Sequence, residues 1–298
     1  MSVLRSKIIS VSKTVKSWLA LGVLTIVWGS SYLLIKKGLV GFDPFQVTTL
    51  RVGIAAVAFF PFFLLKRKQV RLQDWKYLAV VGMVGTGIPA MLFPVAQTQI
   101  SSSLAGVLST VTPIFTLILG VLFFSTKVAL RNIVGIVVGL TGAMALMIFG
   151  KSAFGSGNNW YGLLIVLGCF CYGLSVNTVK AGLQNLNPIT LSSAAFALLL
   201  PFAIFGFWWT DVPGTLHTNS QAWSSLAYIA VLSLVGTFFA SVLFFWLVQL
   251  TSAVFASTVA YLMPIVALAL GALDGEIITV WHFGGMGLIL IGVYLAKE

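Results

Sequence analysis

Several polar side chains sit inside otherwise apolar stretches of this chain, and their types suit holding a solute rather than breaking a bond. Trp28-Gly29-Ser30-Ser31 joins a flat indole wall carrying one donor to two small hydroxyls and a glycine that lets a helix bend or pack closely. Tyr172, Ser175 and Asn177 offer similar chemistry further along. Pro113 and Pro264 each remove a backbone donor and free a carbonyl within an apolar run. Thr110 and Tyr261 lie three residues before them, about one turn away on a similar face. Trp28, Ser31, Thr110, Pro113, Tyr172, Ser175, Asn177, Tyr261 and Pro264 are therefore the expected substrate-binding set. The competing reading is packing, because small residues seat membrane helices against one another and a proline can set a static kink.

Four charged residues are candidates for gating or coupling. Arg51 lies inside an apolar run, where a charge is costly and by default suggests function. It also lies close enough to one interface to snorkel or bind helix-end carbonyls, and its nearest acid in sequence is Asp43. Lys36 and Lys180 stand at helix ends, where a cation complements the carbonyl dipoles. Glu276, with Asp274, is an acid near the end of a core helix and could change protonation between states. His217 and His282 read as interfacial. No catalytic residue, metal or cofactor is expected. The sequence holds no His-Glu-x-x-His, no Asp-Asp-x-x-Asp, no Walker-A loop, no potassium filter and no paired intramembrane carboxylates. Cys169 and Cys171, in LGCFCYG, have neither a zinc spacing nor a disulfide framework and read as packing.

Composition says what must position these groups. Of 298 residues, 59% are hydrophobic and 8% charged, against roughly 25% charged in a soluble domain. Mean hydropathy is +1.06. Long apolar runs parted by short polar joints are helices in a bilayer, each satisfying its own backbone. Runs of about 20 residues predict ten spans near 18–38, 44–65, 75–97, 101–124, 130–149, 160–183, 188–209, 223–249, 252–273 and 280–296. The net charge of +11 argues for topology rather than nucleic acid, because the basic residues flank the spans. With the N-terminus inside, thirteen lysines and arginines fall on the inner side (Arg5, Lys7, Lys13, Lys16, Lys66, Arg67, Lys68, Arg71, Lys76, Lys127, Arg131, Lys180 and Lys297). Only Lys36, Lys37 and Lys151 fall outside. Both termini are expected in the cytoplasm, with residues 1–17 a basic segment ahead of an uncleaved first span in the plasma (inner) membrane.

The spans repeat. Trp28-Gly29 aligns with Tyr172-Gly173, Ser31 with Ser175, Lys36 with Lys180, Gly38-Leu39 with Gly182-Leu183 and Pro44 with Pro188, all at an offset of 144. Val84-Gly85-Thr86 aligns with Val235-Gly236-Thr237, and Pro113 with Pro264, at 151, while Gly135 and Gly142 meet Gly285 and Gly292 at 150. Residues 18–150 and 151–298 are thus two units of five spans each. An odd number of crossings makes the second unit enter the membrane from the side opposite to the first. The expected fold is an all-α polytopic membrane protein of ten transmembrane helices in two inverted five-helix repeats, an arrangement from which many secondary transporters build a central site.

W-G-S-S-x-x-x-x-K in the first span, TTLRVG in the second, the mid-span prolines and the closing GEIITVWHFGGMGLILIGVYL together resemble the EamA-type members of the drug/metabolite transporter superfamily. The resemblance implies a central cavity lined by helices of both halves, with the fifth and tenth helices peripheral. It also implies export of amino acids or other small metabolites. One departure stands out: the first half reads FFSTKV where the family often has a pair like Gly275-Glu276. Few central charges favour a neutral or zwitterionic solute, so the expected function is a secondary active transporter working by alternating access, not an enzyme. The alternative is a lipid flippase or a membrane-embedded enzyme acting on a lipid-linked substrate. The expected partners are the bilayer and a small-molecule substrate. Gly135-x-x-x-Gly139-x-x-Gly142 and Gly284-Gly285-x-Gly287 read as packing seams that could support a homodimer.

Overall fold

The computed structural model describes residues 2–124, 130–149 and 158–296. Lys127, Lys151 and Lys297, which enter the charge count above, lie outside these residues. Ten long helices follow one another: α1 (Ser2–Gly38), α2 (Pro44–Lys66), α3 (Leu72–Gln97), α4 (Ser102–Phe124), α5 (Leu130–Phe149), α6 (Gly162–Gly182), α7 (Pro188–Trp209), α8 (Ala222–Leu250), α9 (Ala253–Leu273) and α10 (Val280–Ala296). A short helix, Val212–Thr218, joins α7 to α8. Among the described residues, eight helices are long and apolar enough to cross a bilayer, and α5 and α10 add the shorter apolar stretches Ile133–Ala145 and Val280–Gly292. The chain is a polytopic all-α membrane protein. Its first helix starts well before the expected span, so the basic N-terminal residues continue α1.

Matching helix starts show the repeat at work. Asp43 caps α2, its Oδ1 accepting from the N–H groups of Phe45 (2.7 Å) and Gln46 (3.0 Å), with Pro44 at the first helical position. Asn187 caps α7 in the same way, accepting from Ile189 N–H at 3.1 Å ahead of Pro188. The repeated Val-Gly-Thr triplets fall on another shared feature. Each lies in a π-helical stretch, Val80–Gly87 in α3 and Leu234–Phe239 in α8. Thr86 donates to Val81 O and Thr237 to Leu232 O, both at 3.2 Å and both five residues back. The hydroxyl thus takes up a carbonyl that the widened turn releases.

The packing keeps its pattern when the two halves are exchanged. Helix α1 packs on α9 as α6 packs on α4, α3 crosses α6 as α8 crosses α1, and α2–α7 and α5–α10 pair each helix with its own counterpart. Hydrophobicity does little to join helices inside lipid, so close approach through small residues carries the interfaces. A Cβ added to Gly29 would lie 2.6 Å from Val266 Cβ and 2.9 Å from Met263 O. One added to Gly173 would lie 2.8 Å from Thr116 N and 2.9 Å from Phe115 C, and Phe115 is the counterpart of Val266 in the other half. Two five-helix units, running in opposite senses, interlock around a pseudo-twofold axis.

The α5–α10 seam sits outside this core. Gly135, Gly139 and Gly142 face Gly285 and Gly292 within the same chain, and Gly292 touches Gly139 backbone. The first of the expected small-residue seams is therefore filled by α10. Gly284 and Gly287 have open space beside them. Gly292→Ala is expected to push the two helices apart and lower stability by about 1–3 kcal/mol. Thermal denaturation of the purified protein in detergent checks this, and a variant as stable as the parent contradicts it.

Candidate functional site

A cavity of about 130 Å³ lies between the halves, bounded by α1, α2, α3, α4, α6, α8 and α9. Residues at helical spacing make its walls. Trp28, Ser31, Tyr32 and Ile35 stand at i, i+3, i+4 and i+7 on one face of α1, and Tyr172, Ser175 and Val176 repeat the start of that pattern on α6. Thr237, Ser241, Phe244 and Phe245 complete a matching stripe on α8. The Trp28 and Phe244 rings lie 4.9 Å apart, and Phe93 stands between Tyr32 and Tyr172 at 6.1 and 5.9 Å. Most hydroxyls in the wall are spent on their own helices: Ser31 donates to Val27 O at 2.8 Å and Ser109 to Ala105 O at 2.8 Å. The cavity offers aromatic faces and little free polarity.

Two contacts tie the halves across it. The Trp28 indole donates to Gly236 O at 3.0 Å, reaching a carbonyl within the π-helical stretch of α8. Arg51 Nε donates to Thr237 Oγ1 at 3.0 Å, the next residue of the same stretch. Arg51 is half-buried and lines the cavity. Asp43, its nearest acid in sequence, is committed to capping α2. The position matching Arg51 in the second half is Ala195, so the guanidinium breaks the symmetry of the site.

The second break lies at one end of the bundle. Gly275, with φ at 81°, ends α9 in the left-handed conformation, and Glu276 N–H returns to Gly271 O at 2.9 Å in a Schellman turn. The turn lays the Glu276 carboxylate over the start of α4. There it accepts from Ser102 N (3.1 Å) and Oγ (2.7 Å), Ser103 N (2.9 Å) and Oγ (2.5 Å), and Lys36 Nζ (2.9 Å). Asp274 pairs with Lys36 at 2.7 Å and also with Lys37. Burial raises the pKa of both acids, yet the opposing bonds win and leave each below its ordinary value. For Asp274 these come from Lys36 and Lys37, and for Glu276 from Ser103, Ser102 and Lys36. The buried N-terminal N–H groups of α4, which have no acceptor within the helix, favour the same ionised form. One carboxylate thus clamps α1, α4 and α9 together.

Among the described residues the counterpart lysine has no carboxylate partner. Lys180, at the other end of the bundle, donates to Val248 O at 3.4 Å and Thr251 O at 2.6 Å in the α8–α9 turn. The residue matching Glu276 in the first half, in the FFSTKV stretch, lies outside the described residues.

Of the nine expected wall residues, Trp28, Ser31, Tyr172 and Ser175 line the cavity and the other five do not. Asn177 bonds Thr116 O (2.8 Å) and Gly173 O (2.9 Å) at the α4–α6 contact, and Thr110 donates to Val107 O at 2.6 Å. Pro113 in α4 and Tyr261 and Pro264 in α9 lie outside the cavity lining. Pro113 follows a 3₁₀ turn over Ser109–Val111, and Pro264 follows an interruption at Thr258. Lys36 and Glu276 meet in one cluster, apart from Arg51 and from Lys180. Tyr32, Phe93 and Phe244 were not among the expected wall residues; for Tyr32 the signal was its place four residues after Trp28. His282 is fully buried rather than interfacial, its Nδ1 accepting from Thr279 N–H at 3.1 Å.

Residues 16–148 and 159–297 each match the model of the EamA-like transporter family. The uncharacterized inner membrane transporter YedA of Escherichia coli is 28% identical over 285 residues, covering 93% of this chain and 89% of its own. A probable terminal-alkyne amino-acid exporter of Streptantibioticus cattleyicolor is 25% identical over 202 residues, 66% of this chain and 68% of its own. One crystal structure aligns over 94% of this chain and 96% of its own with a TM-score of 0.62 at 14% identity, a likeness of fold. With both halves matched and a cavity held between them, this chain belongs to the EamA-like transporter family and is a membrane transporter.

Proposed function

We propose that the chain is a secondary active transporter that carries small solutes with an apolar portion, amino acids first among them, outward across the plasma membrane. The single observation that carries this reading is the cavity on the pseudo-twofold axis, walled by matching helices from the two opposed units. Trp28, Ser31, Tyr172 and Ser175 contact the solute in this reading. Thr110, Pro113, Asn177, Tyr261 and Pro264 set the shape of the surrounding helices instead. The bias of basic residues supports termini in the cytoplasm, and in this reading the Lys36–Glu276 cluster lies at the outer end and Lys180 at the inner end. Alternating access then means making and breaking these two closures in turn. The name of the Streptantibioticus relative supports amino acids and the outward direction.

Proteoliposomes of the purified protein, loaded with a labelled panel of aliphatic amino acids, test the proposal. Efflux above that of protein-free vesicles is expected. Movement of lipid without solute flux would contradict it and favour a flippase.

A further inference from the structure

The cavity holds a single charged side chain, Arg51, and none of the described residues that line it is acidic. The acids nearest in sequence or at the end of the bundle are already committed: Asp43 caps α2, and Asp274 and Glu276 hold Lys36 and Lys37. Among the described residues only the Nε–H of the guanidinium has an acceptor, Thr237 Oγ1. A guanidinium has five N–H donors in a planar fork, so four remain on its two terminal nitrogens with no acceptor among the described residues. Thr237 fixes the direction of that fork. Its own hydroxyl is spent on Leu232 O, five residues back in the π-helical stretch, so its lone pairs are left for Arg51.

A cation held in an apolar cavity without a counterion is costly, and a ligand that brings one removes that cost. Carboxylates match the fork in two parallel hydrogen bonds. The remaining wall says what should be attached. Trp28 with Phe244, and Phe93 with Tyr172, present aromatic faces that suit an aliphatic group. Nothing acidic waits for an ammonium. The volume, about 130 Å³, is close to the roughly 150 Å³ that admits a benzene-sized solute.

We propose that Arg51 is the receptor for the carboxylate of the transported solute, and that the solute class is a small aliphatic monocarboxylate whose amino group is not required. This rests on the transporter reading of the cavity. It narrows that reading, because selection then falls on the carboxylate, and a 2-oxo acid is recognised as an amino acid is.

Competition in proteoliposomes of the full chain tests the assignment. The wild-type protein is given labelled L-valine against unlabelled L-valine, 3-methyl-2-oxobutanoate, valinamide and inorganic phosphate. Valine and the 2-oxo acid are expected to compete about equally. Valinamide, which keeps the amine and the branched chain but lacks the carboxylate, is expected to be weaker by about 10- to 100-fold. Arg51→Gln should remove that difference, and Arg51→Lys should restore part of it. Because the comparison among ligands uses wild-type protein, it stands even where Arg51→Gln does not fold. Valinamide competing as well as valine overturns the carboxylate assignment and leaves the carrier intact. Competition by phosphate assigns the fork to phosphate esters and likewise overturns it. Absence of valine and 2-oxo acid flux, alongside flux of another solute, overturns it as well, and absence of any solute flux overturns the carrier reading with it.

Discussion

Glu276→Gln is expected to lower stability by about 1–3 kcal/mol and to loosen the end of the bundle where α1, α4 and α9 meet. The size follows from what the carboxylate does. It is almost wholly buried, with 1% of its side chain exposed, and it accepts from two serines and a lysine drawn from α4 and α1. Glutamine keeps the shape but loses the charge, and a buried hydrogen bond to a charged group is worth about 1.5–3 kcal/mol. Lys36 retains Asp274, so the loss stays below that of a fully orphaned buried cation. The pH dependence follows with its sign. Both acids have folded pKa values below their ordinary 3.8 and 4.5, so the stability they contribute is complete above those values and is lost as pH falls below them. The gap between the parent and Glu276→Gln should therefore stay constant across the neutral range and shrink in acid below about pH 4.5. Thermal melts at several pH values check this. A gap between the two proteins that changes between about pH 6 and 8 would contradict the depressed pKa. While the cluster is closed, the same depression keeps Glu276 ionised at neutral pH.

Trp28→Ala is expected to cost about 3 kcal/mol or more and to abolish transport. Two losses add. The ring leaves a hole against Phe244 in the cavity wall, and the bridge from α1 to the Gly236 carbonyl disappears. Trp28→Phe separates them, because it keeps an apolar wall and removes only the bridge, at about 1 kcal/mol. Denaturation and valine flux measured on both variants decide between tether and solute contact. Near-normal flux in Trp28→Phe with reduced stability is the expected pattern. Flux lost equally in both variants would mean that the indole N–H serves the solute directly.

The ten helices were legible because their signal is dense: about 20 apolar residues bounded by Asp-Pro, Asn-Pro or basic clusters leave few alternatives. The inversion was legible from counting, since five is odd. The site was half legible. Trp28, Ser31, Tyr172 and Ser175 lie on the faces that meet the cavity, and a helical wheel would have added Tyr32, four residues after Trp28. The same wheel turns Asn177, five residues after Tyr172, to the far side, where it bonds Thr116 instead. Pro113 and Pro264 were hidden differently, because a proline in a sequence says that a helix changes there and not which side it opens. The matching Val-Gly-Thr triplets gave no hint of π-helical geometry. Their meaning appears only once Thr86 and Thr237 are each seen bonding a carbonyl five residues back.

Function in this frame resides where the repeat fails to repeat. Gly29 and Gly173, or Thr86 and Thr237, do the same work in both halves and build the scaffold. Arg51, opposite Ala195 in the alignment, gives the cavity a charge of one sign. Glu276 gives one end an ionic closure, whereas among the described residues Lys180 at the other end holds the Val248 and Thr251 carbonyls.

The most direct measurement is accessibility of the cavity from each side. Cys169 and Cys171, both free and buried, would be replaced by alanine and a single cysteine placed at Ser31. The expected result is modification by a membrane-impermeant thiol reagent from either face of the membrane, faster from outside once Glu276→Gln is added, and slowed by valine. A cysteine that reacts from neither face, or reacts equally with and without solute, would contradict a cavity that opens alternately between the two halves.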